Sequence, residues 1–203
     1  AVHRKHRLAP AALPPPRPIA EAEPVDFARF HAEIRPAGQP VVMRGLAGDW
    51  PGVAAARQGD REMARYLLGF GPTRPVGGIM LPPEAEGRFF YNSELTGFNF
   101  SSHEGRLDAF LGELLRVAVE PRASGMAVQS ERIADLLPGF IEANPMPLVP
   151  DVPPRIWIGN RIRVAPHYDL MENIGVCLAG RRRFTLFPPD QLPNLYAGPF
   201  ELT

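Results

Sequence analysis

Between Arg155 and Pro189 the chain reads RIWIGNRIRVAPHYDLMENIGVCLAGRRRFTLFPP, and this stretch constrains the fold more than any other. Ile156, Trp157 and Ile158 form a short β-favouring run, which the turn signal Gly159-Asn160 ends. Ile162 to Val164 resumes as strand, and Pro166 leads into His167-Tyr168-Asp169. Ile174 to Leu178 carries no charge and reads as a buried strand. Ala179-Gly180 turns the chain. Arg183 to Phe187 forms the next strand, which Pro188-Pro189 closes.

The spacing of His167 and Asp169 points to chemistry. On an extended strand, residues i and i+2 face the same side. Their Cβ atoms then lie roughly 6–7 Å apart, so imidazole and carboxylate can lean onto one metal ion. With a third ligand the pair makes a facial triad with open positions, the arrangement that suits non-haem Fe(II) and O₂. The tripeptide alone is weak evidence, because five His and eight Asp in 203 residues produce about 0.2 such matches by chance. The plain alternative is a surface His-Tyr-Asp at a strand end.

Composition narrows the function classes. The 203 residues fit one domain or slightly more. Acidic and basic residues balance at 22 each, which gives no sign of a nucleic-acid or membrane-surface binder. Cys177 is the only cysteine, so no internal disulfide forms, in keeping with a reducing, cytoplasmic setting. Within its apolar run it reads as a small buried hydrophobe. No stretch approaches the ~18 apolar residues of a membrane span. Arg4, Lys5 and Arg7 ahead of Leu8 to Leu13 imitate a signal peptide, but Pro10 and Pro14 to Pro16 interrupt it.

Residues 1–24, rich in Pro and Ala, read as a flexible lead-in, with His3 and His6 in a solvated tail. Residues 25–122 read as a region of helices and strands. Phe27, Phe30 and Ile34 recur at helical spacing over Val25 to Ile34, and His31 reads as a surface or cap residue. Val41 to Leu46 is a strand whose Arg44 needs a carboxylate partner. Asp60 is a candidate N-cap for a helix from Arg61 to Phe70. Arg74 to Leu81 and Arg88 to Asn92 read as strands. Glu104 to Val119 is a helix with a core stripe of Leu107, Phe110, Leu111, Leu114, Leu115 and Ala118, and His103 sits at its start. Residues 123–203 open with a strand at Met126 to Gln129 and a helix N-capped by Ser130. Five prolines between Asn144 and Pro154 then form a loop into the motif region, and Asp190 to Tyr196 reads as a helical turn.

Taken together, Trp157, Gly159, His167-Tyr168-Asp169, Asn173, Gly180-Arg181-Arg182-Arg183 and Leu186-Phe187-Pro188-Pro189, followed by Gln191, Leu195 and Tyr196, resemble the cupin-like branch of the JmjC family. That group includes the asparaginyl hydroxylase acting on hypoxia-inducible factor. Upstream, Pro40 to Leu46 with Trp50-Pro51, and Arg88 to Asn92 with Gly97 to Phe100, are similar to bacterial cupin-like proteins. The resemblance covers roughly residues 25–203.

It implies a mainly β fold, a double-stranded β-helix or jelly roll with N-terminal helices. It also implies an oxygenase that uses Fe(II) and 2-oxoglutarate to hydroxylate a protein side chain or a small molecule. His167 and Asp169 would be iron ligands, and Asn173 would line the 2-oxoglutarate pocket. Arg182 stands where many relatives carry a lysine for the distal carboxylate, and alternation places it on the opposite face from Arg181 and Arg183. The plain reading of that run is a solvated strand face. Val164 stands where some relatives have threonine. The family's second His ligand lies in a later strand, and no His follows His167 here. The expectation is therefore that this chain lacks the C-terminal part of the barrel. Two other readings stay open: a cupin-fold binding or scaffold protein without turnover, and a metal-dependent cupin isomerase or hydrolase. No nucleic-acid or membrane partner is expected, and a homodimer stays open.

Overall fold

The computed structural model describes residues 15–195. Strand β1 (Ala20–Ala22) pairs in parallel with β2 (Val41–Met43). The lead-in is thus anchored before Pro24, earlier than its composition suggests. Arg44, just past β2, finds its carboxylate in Glu21, with Nη2 and Nε 2.7 and 3.1 Å from the two Glu21 oxygens. Between these strands lies α1 (Phe27–Arg29), where the Asp26 carboxylate caps the Arg29 N–H at 2.8 Å. It runs directly into a π turn, Phe30–Ile34. His31 is half-buried, and its Nε2 lies 2.8 Å from the Leu148 carbonyl oxygen. It therefore anchors the turn rather than lying free on the surface.

The central sheet has four antiparallel strands in the order β5-β3-β6-β7. The elements follow the chain as α2 (Pro51–Gln58), α3 (Asp60–Leu68), β3 (Val76–Leu81), β4 (Arg88–Phe89), β5 (Ser101–Gly105), α4 (Leu107–Val117), β6 (Gly125–Arg132), α5 (Ile133–Leu136), α6 (Phe140–Ala143), β7 (Arg155–Gly159) and β8 (Arg163–Val164). Helices α3 and α4 cover the sheet. Leu67, Leu107, Leu111, Val76, Val128, Ile156 and Phe140 are buried together, with Phe110 and Leu115 packed against them. Of the stripe read from the sequence on α4, Leu107, Phe110, Leu111 and Leu115 pack in the core, while Leu114 is half-buried outside that cluster and Ala118 is exposed. Below the sheet, Asn144 is buried and joins three elements. Its Nδ2 donates to Tyr66 Oη at 2.7 Å and to the Phe140 carbonyl at 2.9 Å. Its Oδ1 accepts the Gly52 N–H at 3.0 Å.

Several local expectations give way to tertiary pairing. Helix α4 starts at Leu107, because Ser101–Gly105 is taken into the sheet opposite Val76 to Met80. His103 consequently sits on an edge strand. Ser130 is not a helix cap but part of β6, at a bulge between Val128 and Glu131, with φ of 56°. Ile174 to Leu178 and Arg183 to Phe187 form no ladder. A strand exists only through hydrogen bonds to a neighbour, and among the described residues nothing pairs with either segment. Cys177 is correspondingly exposed, not buried. Arg181, Arg182 and Arg183 are all exposed, so no inward face distinguishes Arg182.

The described residues therefore form a mixed structure, 29% helix and 20% strand, built on an antiparallel sheet. None of their helices is long and apolar enough to cross a membrane. The expectations for His3, His6 and Tyr196 lie outside the described residues.

Candidate metal centre

The path into the motif is set by two polar anchors. Asn160, directly after β7, reaches back to the start of β6. Its Oδ1 accepts the Met126 N–H at 3.0 Å and its Nδ2 donates to the Ser124 carbonyl at 2.8 Å. The chain then lands on β4. The Arg163 N–H donates to the Gly87 carbonyl at 2.7 Å, and β8 pairs in parallel with β4 through Arg88↔Arg163 and Phe89↔Val164. Val164 presents no polar atom from its side chain.

Between β8 and a 3-10 turn at Pro189–Asn194 the backbone forms no helix or strand, yet the side chains of the motif approach one another. The Nδ1 atom of His167 lies 2.9 Å from the Ala165 carbonyl oxygen. A carbonyl only accepts, so Nδ1 is the donor in this contact and Nε2 is the ring nitrogen left free of it. That atom lies 3.9 Å from Asp169 Oδ1. The other oxygen, Oδ2, is held by the Asn173 amide at 2.9 Å, and the same amide nitrogen donates to the Met171 carbonyl at 3.1 Å.

A His nitrogen and an Asp oxygen are donors of the kind a metal ion takes, and here the other heteroatom of each side chain already has a partner. Two ligands bound at about 2.1 Å and roughly a right angle sit about 3 Å apart. The observed gap is within 1 Å of that, a distance that small side-chain rotations close. Both side chains are 62% exposed, so an ion has open access. Among the described residues, no cluster of three or more His, Cys, Asp or Glu side chains stands ready for a metal.

The remaining candidates are placed differently. Asn173 faces Asp169, so its described role is to hold the carboxylate. Arg182 lies with its guanidinium 5.3 Å from the centroid of the Phe184 ring and makes no hydrogen bond or ion pair among the described residues. It is not brought to the His167–Asp169 pair by any described contact. Sequence reasoning missed Arg35, whose Nε donates to Glu172 Oε2 at 2.7 Å across 137 residues. It also missed Gly87. The sequence carried no local signal for the first; Glu86-Gly87, a turn at the mouth of a strand, was a signal for the second.

The described residues thus present an antiparallel sheet flanked by helices, with a His-x-Asp sequence on the segment that follows its edge strand. The cupin-like domain model matches residues 27–203, and the chain belongs to this JmjC-related family. No curated protein matches it.

Proposed function

We propose that the protein is an Fe(II)- and 2-oxoglutarate-dependent oxygenase acting as a hydroxylase, built on a double-stranded β-helix. The observation that carries this reading is the facing of His167 Nε2 and Asp169 Oδ1, with the other heteroatom of each side chain already tied down. Family membership supports it. His167 and Asp169 would hold the iron. When bound, Fe(II) with 2-oxoglutarate supplies the oxidising power to place one atom of O₂ in a substrate C–H bond, while 2-oxoglutarate is converted to succinate and CO₂.

The chain's own residues do the preparatory work. The Ala165 carbonyl orients the imidazole, so Nε2 is the nitrogen turned toward Asp169 and the ion. Asn173 neutralises part of the demand of the Asp169 carboxylate and sets its plane. Arg182 is the candidate for the distal carboxylate of 2-oxoglutarate, a role for which a planar, permanently charged fork is suited. The substrate is a protein side chain or a small molecule.

The test needs no knowledge of that substrate. Under anaerobic conditions, Fe(II) followed by 2-oxoglutarate is expected to give a saturable visible charge-transfer band, which His167→Ala abolishes. Iron binding without a band would sink the oxygenase. It would favour a cupin-fold binding protein without turnover, a reading that the exposed Arg182 and the apolar Val164 also support.

A further inference from the structure

We propose that Arg35 is a positioning residue for the metal pair, acting from the end of the N-terminal π turn through Glu172. The proposal rests on the reading of His167 and Asp169 as metal ligands and deepens it.

Residues 166–173 carry both ligands but belong to no helix or strand. Within this segment the hydrogen bonds are local: His167 to Ala165, and Asn173 to Asp169 and Met171. Among the described residues, the Arg35–Glu172 contact is the one hydrogen bond or ion pair that ties residues 166–173 to another part of the molecule. Glu172 is bonded in sequence to Asn173, and Asn173 holds Asp169 Oδ2. A displacement of Glu172 is therefore passed to the amide that orients the ligand carboxylate.

The element that presents Arg35 is itself held. The Arg35 N–H closes the π turn on the Phe30 carbonyl at 2.9 Å. Phe30 is buried, and His31 bonds the Leu148 carbonyl at 2.8 Å. The His31 ring also packs on Phe27 and Phe30, with centroids 4.3 and 5.1 Å away. An extra residue in a helical turn rotates the residues after it by about 100° around the axis, and such turns recur at functional sites. Arg35 is the residue directly after this turn, and its side chain bonds Glu172.

The pair is exposed, with side chains 52% and 71% accessible. Exposed ion pairs contribute little to global stability. The arginine is therefore expected to act on the ligand loop alone, and salt is expected to weaken its effect. Losing an outer contact of a metal ligand lowers metal affinity by about 10–100-fold. Asn173→Ala is expected in that range. Arg35→Ala, one step further out, is expected to weaken binding by about 3–10-fold.

Co(II) titration of the full chain, followed by its visible spectrum, tests this. The expected result is weaker Co(II) binding by Arg35→Ala and by Glu172→Ala at unchanged melting temperature. The exchanged pair Arg35→Glu with Glu172→Arg should recover most of the affinity, and the deficit of Arg35→Ala should shrink in high salt. Wild-type binding that His167→Ala abolishes, together with an Arg35→Ala affinity equal to wild type, overturns the positioning role and leaves the metal reading standing. Loss of melting temperature in step with affinity, without recovery in the exchanged pair, also overturns it. Absence of wild-type Co(II) binding removes the metal reading and the positioning role together.

Discussion

Gly87→Ala is expected to destabilise the protein by about 3 kcal/mol and to weaken metal binding with it. Gly87 has φ of 73°, and a Cβ built there would lie 2.1 Å from the Arg161 carbonyl oxygen. Two costs combine. A side chain in the left-handed region costs about 1–2 kcal/mol, and forcing an atom into packed surroundings costs about 1–3 kcal/mol more. The obstacle is backbone, so no rotamer change relieves it. The turn at Arg161 must shift instead, and that turn feeds β8. The Arg163 N–H bond to the Gly87 carbonyl and the β4–β8 register are expected to go with it. His167 lies three residues after Val164, so the His167–Asp169 pair is expected to lose the support of β8. Gly38→Ala separates the two costs: its φ is 58°, and nothing lies within 4 Å of its Cβ position. It is expected to cost about 1 kcal/mol, the conformational share alone. Urea unfolding of both variants decides the matter. Equal midpoints would mean that Arg161 yields freely and that the β4–β8 contact does not position the motif.

The range of each interaction decided whether the sequence made it legible. The α4 stripe was readable because helical packing repeats every three to four residues, and Leu107 and Leu111 are buried as the spacing demands. The run Arg155–Gly159 was readable because β-branched residues and Trp157 end at a glycine turn. His167 and Asp169 stood out in the sequence by their two-residue spacing, but the strand that this spacing presupposed does not form, and the 3.9 Å approach of the two side chains occurs on a segment without regular structure. Contacts between distant residues were not readable. Ser101–Gly105 has the composition of a loop running into a helix, yet it pairs with β3 because that sheet edge offers hydrogen bonds the local sequence cannot announce. Ile174 to Leu178 fails in the opposite sense: its composition favours strand, but composition does not supply a neighbour. Arg35 and Glu172 are 137 residues apart, and nothing in either neighbourhood marks the other. Alternation assigned Arg182 to an inner face, which presupposes a sheet that the described residues around it do not form.

The buried Asn144 is expected to be the most sensitive polar position in the helical layer, with Asn144→Ala costing about 3 kcal/mol. One amide joins α2 through the Gly52 N–H, α3 through Tyr66 Oη and α6 through the Phe140 carbonyl. Truncation leaves the buried Gly52 N–H without its acceptor, and an orphaned buried group costs about 1–3 kcal/mol. Two further hydrogen bonds are lost, each worth about 1 kcal/mol net. Leucine would not rescue the site, because it supplies bulk where the neighbours need an acceptor. Tyr66→Phe removes a single bond and should cost about 1 kcal/mol. Since both partners share that bond, the double variant should be less destabilised than the sum of the two by at least about 0.5 kcal/mol. Strict additivity in urea unfolding would show that Tyr66 and Asn144 contribute independently. The asparagine would then stand for its backbone contacts alone, and these helices would be held by packing rather than by this polar hub.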